Sequence, residues 1–150
     1  MPRQLGLVHF FVLAALIATC GLAIAHTNEY LDTVEGEHGG QLRMSGAYHF
    51  ELVARPGFLT IYVADHGFQA VDTAGATAEA MIVTDGKKTV LELTVSGANR
   101  LEGHGDFTLN EETTVHLKVV MPGGEAELAS FHPLRKRNKK PDHSGHRDHH

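Results

Sequence analysis

The stretch 48–65, Tyr48-His49-Phe50-Glu51-Leu52-Val53-Ala54-Arg55-Pro56-Gly57-Phe58-Leu59-Thr60-Ile61-Tyr62-Val63-Ala64-Asp65, decides the fold. Tyr48, Phe50 and Leu52 alternate with His49 and Glu51 on one side of the Pro56-Gly57 turn. Leu59, Ile61 and Val63 alternate with Thr60 and Tyr62 on the other. A period of two on both sides of a turn predicts a β-hairpin with one buried face.

Working outward, turn signals recur at His66-Gly67, Ala74-Gly75, Asp85-Gly86, Gly97-Ala98-Asn99, residues 103–106 and Pro122-Gly123-Gly124. Strand-like runs lie between them at 77–84, 89–95, 113–121 and 125–131, and short strands are expected near Gln41 and over 106–109. No segment sustains a helical period. Seven or eight short antiparallel strands predict an all-β domain, with an immunoglobulin-like β-sandwich as the expected architecture and a small open barrel as the alternative.

The flanks differ in kind. Residues 1–25 carry Arg3, an apolar run through Phe10 to Ile17, and Ala23-Ile24-Ala25, the small-x-small pattern of a cleaved secretory signal peptide. An uncleaved membrane anchor is the second reading, because the apolar stretch from Leu5 to Ala25 is just long enough to span a bilayer. A lipoprotein is a third, less favoured because Thr19 precedes Cys20. All three export the domain, and a cleaved leader puts it in the periplasm of a Gram-negative envelope. Residues 26–40 show neither periodicity and are rich in acids and glycine, which predicts a mobile acidic arm. Residues 41–132 hold the strands. Residues 133–150 have almost nothing apolar to bury and are expected to form a disordered, basic, His-rich tail.

Charge narrows the partners. Residues 26–132 hold 16 acidic and 6 basic side chains, a balance of −10, whereas 133–150 hold 6 basic and 2 acidic, a balance of +4. An acidic body is unsuited to a phosphate backbone, so nucleic acid is excluded as the main partner and cations are favoured. The basic tail gives a route to anionic lipid. Cys20 is the one cysteine and lies in the leader, which removes thiolate chemistry from the mature chain.

Eleven of the twelve histidines lie beyond the leader. Imidazole suits zinc, copper and nickel, so Zn(II), Cu(II) and Ni(II) are the candidate ions. His143, His146, His149 and His150, with Asp142 and Asp148 between them, form the densest cluster; a solvated tail is the alternative. Cleavage after Ala25 makes His26 the first residue, able to chelate Cu(II) through amine and imidazole. Cleavage after Ala23 puts it third, suited to a square-planar site. In the body, His49 and Glu51 share the expected solvent face of one strand, and His116 shares that of another with Lys118. Side chains two apart on a strand can converge on an ion, although alternation alone also calls for polar residues there. His38 sits beside glycines in an expected turn, as do His66 and His104. No Gly-x-Ser-x-Gly, His-Glu-x-x-His or phosphate-cradling glycine loop occurs, so no enzymatic activity is expected.

The sequence His38-Gly39-Gly40, then Tyr48-His49-Phe50-Glu51-Leu52-Val53, the run 59–63, Val71-Asp72-Thr73, Leu93-Thr94 and the run 97–103 resembles the small β-domains of periplasmic adaptor subunits in heavy-metal efflux systems, and short exported proteins associated with them. The likeness covers about residues 38–131. It implies an envelope β-sandwich accessory to metal efflux, with a periplasmic efflux component as partner. The helical hairpin and lipoyl-like domain of a complete adaptor are not found in this sequence. The expected function is therefore transition-metal binding or buffering; a non-catalytic β-sandwich interaction module of the envelope is the alternative.

Overall fold

Both faces of the central strands carry apolar or buried side chains, and the architecture follows from how each face is covered. The structure is a computed structural model and describes residues 27–137. A short helix, α1 (Asn28–Leu31), precedes eight strands: β1 (Gln41–Ser45), β2 (Tyr48–Arg55), β3 (Phe58–Asp65), β4 (Thr77–Thr84), β5 (Lys87–Gly97), β6 (Arg100–His104), β7 (Thr114–Val120) and β8 (Ala126–Phe131). They form one antiparallel sheet in the order β1-β2-β3-β6-β5-β4-β7-β8. β4, β5 and β6 follow one another through hairpins, β6 comes back beside β3 and β7 beside β4, so two Greek keys overlap. The all-β class and the count of seven or eight strands are as expected, and no helix among the described residues is long and apolar enough to cross a membrane.

The core fills the inside of the curled sheet. Phe50, Leu52, Ile61, Val63 and Leu101 face Ile82, Leu91, Leu117, Val119 and Phe131 across it. Long β5 makes the bend: residues 87–93 pair with β4, and residues 94–97 pair with β6 through a bulge between Val95 and Gly97. The β4–β5 hairpin turns on Asp85-Gly86, both at positive φ (51° and 76°), the backbone that a two-residue hairpin turn with the right twist demands.

β6 corrects the sequence expectation, which put a short strand at 106–109 and turns on either side of residues 100–102. Gly103 reads as a turn residue but lies within β6, where a Cβ would run into the Leu93 side chain. Glycine there marks a close approach of β6 to β5 rather than a chain reversal.

The two edges of the sheet meet. Ser45 Oγ accepts from the Leu128 N–H (3.2 Å), Arg43 Nε donates to the Ser130 carbonyl (3.0 Å), and Gln41 Oε1 accepts from the His132 N–H (2.7 Å). At every second residue a β1 side chain thus satisfies a backbone group on the free edge of β8, in antiparallel register. The sheet is nearly a barrel, its seam closed by side chains where a backbone ladder would otherwise run, and neither edge is left as a template for pairing. Gln41 and Arg43 are 5% and 7% exposed, so the polar residues of β1 face the seam while Leu42 turns outward and is covered.

The cover comes from the segment expected as a mobile acidic arm. Thr27 Oγ1 caps α1 by accepting from the Tyr30 N–H, and Leu31 is fully buried. Asn28 Oδ1 accepts from the Met44 N–H (3.1 Å), and Asp32 pairs with Arg43 Nη1 (2.7 Å). Aperiodic sequence concealed this packing, which rests on one apolar side chain and a few polar anchors. The expected signal peptide and most of the expected tail lie outside the described residues.

Candidate functional site

Strand register decides which outer side chains meet. Glu51 stands between Leu42 of β1 and Tyr62 of β3, and the adjacent outer row holds Met44, His49 and Ala64. An outer face of this kind is commonly solvated. Here residues 34–38 and the turn after β3 lie over it, enclosing a cavity of about 290 Å³. The expectation that His49 and Glu51 face solvent is therefore corrected: they are 1% and 5% exposed.

Glu51 organises one wall. Its Oε1 accepts the backbone N–H groups of His38 and Gly40, each at 2.8 Å, and its Oε2 lies 2.9 Å from Nδ1 of His38. The His38 ring is stacked flat on Tyr62. The chain can wrap the carboxylate this closely only because a Cβ on Gly36 would strike Oε1, and one on Gly40 would come within 2.5 Å of the Leu52 carbonyl oxygen. His38 itself stays partly open, its side chain 35% exposed.

His49 forms the floor, its ring centroid 4.5 Å from that of Phe68 and 5.3 Å from that of His66. Phe68 is held at φ 59°, a left-handed conformation that costs a side-chain-bearing residue roughly 1–2 kcal/mol. The turn enforces it: Asp65 Oδ1 accepts from the N–H groups of Gly67 (2.8 Å) and Gln69 (2.9 Å), and the Asp65 carbonyl accepts from the Phe68 N–H (3.0 Å). His66 is anchored separately, with Nε2 3.0 Å from the Gly46 carbonyl.

The polar lining is Glu35, Glu37, Glu51, His38, His49, Tyr62 and Asn99, with no lysine or arginine. Carboxylates and imidazoles without a competing cation favour a positively charged guest. Among the described residues, however, no group of three or more His, Cys, Asp or Glu side chains is arranged to hold a metal ion.

Of the expected site residues, the structure brings His38 and His49 to one cavity. His116 stands apart, exposed on β7 with Nδ1 3.0 Å from Ser130 Oγ. His26, His143, His146, His149 and His150 lie outside the described residues. Glu35, Glu37, Tyr62, Phe68 and Asn99 were missed. Strand alternation put Tyr62 on the same face as Glu51, and this was the one available signal.

A second hollow, beside the seam, has the opposite chemistry, with Arg43, His132, Arg135, Lys136 and Arg137 around Asp32 and Glu29. Burial alone would raise the pKa of Asp32, but hydrogen bonds from Arg43 and Gln41 and the charges of Arg43 and Arg137 outweigh it and hold it below the usual carboxylate value. Burial lowers the pKa of His132, and Arg135, Arg43 and His116 lower it further against the opposing charge of Asp32. Asp32 is committed to Arg43 and Gln41.

No protein-family model, curated protein or solved structure matches the chain.

Proposed function

We propose that this is an exported, non-enzymatic protein that binds or buffers a divalent transition metal, Zn(II), Cu(II) or Ni(II), and that the cavity over β2 and β3 is where the folded domain takes the ion. One observation carries the reading: two imidazoles, His38 of the covering segment and His49 of β2, line a single cavity with three carboxylates and no basic side chain. Imidazole nitrogen is the preferred donor for these borderline ions, and the carboxylates supply the compensating charge. Solvent completes the coordination. The likeness to β-domains of heavy-metal efflux adaptors supplies the context, a periplasmic β-scaffold that passes metal to an efflux component.

The competing reading is an interaction module. It is favoured by the lack of a ready three-ligand group among the described residues and by exposed Val90 and Leu128 on the outer face of β5 and β8. Melting in the presence of each metal separates the two. An ion that binds only the folded state at a hundredfold excess over Kd adds about 2.7 kcal/mol of stability. The metal reading expects that increment in the full chain and its loss in His38→Ala. A melting point indifferent to all three ions favours the interaction module.

A further inference from the structure

We propose that Glu51 is a positioning residue that fixes His38 as the Nδ1–H tautomer and so presents Nε2, with its lone pair, to a transition-metal ion. The inference rests on the metal reading above and names the atom that binds.

An ionised carboxylate only accepts hydrogen bonds. Oε1 of Glu51 already takes two backbone N–H donors, those of His38 and Gly40. Oε2, 2.9 Å from Nδ1, therefore has no proton to give, and the proton between them belongs to the imidazole. A neutral imidazole with Nδ1–H has its lone pair on Nε2. The ring has little freedom to turn away from this geometry, because Tyr62 lies parallel to it at a centroid distance of 3.5 Å. Buried Glu51 cannot follow a moving ring either, with Gly36 and Gly40 closed around it. A histidine that lines an accessible cavity while one of its nitrogens donates to a buried carboxylate has the arrangement that orients an imidazole ligand and raises its basicity.

The test is ring-nitrogen NMR of the full exported chain, with and without Zn(II), beside Glu51→Gln. The glutamine carbonyl can keep the two backbone donors, while its amide N–H₂ faces Nδ1 and demands the opposite tautomer. In the wild type the pyridine-like nitrogen signal of His38 is expected on Nε2, and zinc is expected to shift that signal. In E51Q it is expected to move to Nδ1, with zinc affinity falling ten- to hundredfold. A wild-type His38 protonated on Nε2, or an E51Q spectrum with the tautomer unchanged, overturns the proposal. The wild-type spectrum decides the tautomer even where E51Q fails to fold. If the tautomer is as stated but zinc leaves His38 undisturbed, the metal reading falls and the tautomer-fixing role of Glu51 stands.

Discussion

His38 lies flat against Tyr62, with ring centroids 3.5 Å apart and planes 1° from parallel. His38 belongs to the segment that covers the sheet and Tyr62 to β3 itself, so the stack is one of the fastenings that hold the cover down. Tyr62→Phe keeps the stack and should leave stability nearly unchanged. Tyr62→Leu should cost about 0.5–1.5 kcal/mol beyond the lost area, the worth of an aromatic pair. Urea unfolding of both variants measures the difference.

Phe68 is exposed in part yet held in a conformation suited to glycine. Comparing Phe68→Gly with Phe68→Ala isolates the backbone, since both lack the ring that packs on His49. Glycine should be the more stable by about 1 kcal/mol, reversing the order expected at an ordinary position. Equal stabilities would mean that the turn relaxes and holds no strain.

The seam between β1 and β8 depends on Arg43, which reaches the Ser130 carbonyl and Asp32 from a largely buried position. Arg43→Leu takes the Arg43 donor from the Ser130 carbonyl and leaves the Asp32 carboxylate with Gln41 alone. It should destabilise the domain by about 1–3 kcal/mol, the cost of orphaning a buried polar group. Hydrogen exchange should quicken first at β8 and not at β5.

The hairpin 48–65 and the turn at Asp85-Gly86 announce themselves, because alternation and turn chemistry are local. β6 does not, since Gly103 serves a contact with Leu93 that no neighbouring residue reveals. The site was half legible. His38, His49 and Glu51 were visible as residues of interest, but their meeting depends on residues 27–40 folding back over β2. That segment does so through Leu31 and the Asp32–Arg43 pair, without a periodic pattern. Polar residues on an outer strand face look solvated in sequence whenever the covering element is irregular.

Stability should fall with acid in two stages. The pKa of His132 is lowered in the fold, so the unfolded chain binds its proton first. Its contribution is full above about pH 6.5 and is lost as pH falls from there through the folded value. Asp32 is also lowered, so its contribution is full above about pH 3.9 and is lost as pH falls through its folded value. His132→Gln should flatten the first stage and Asp32→Asn the second, read from urea midpoints across the pH range.

The most direct measurement is calorimetric titration of Zn(II) into a full-chain variant with His143, His146, His149 and His150 all changed to glutamine. Removing the tail imidazoles leaves the cavity as the place where the folded domain must show its own affinity. The account predicts stoichiometric binding that survives these changes and disappears when His38→Ala is added. Binding that vanishes with the tail histidines alone, with His38 intact, would contradict it.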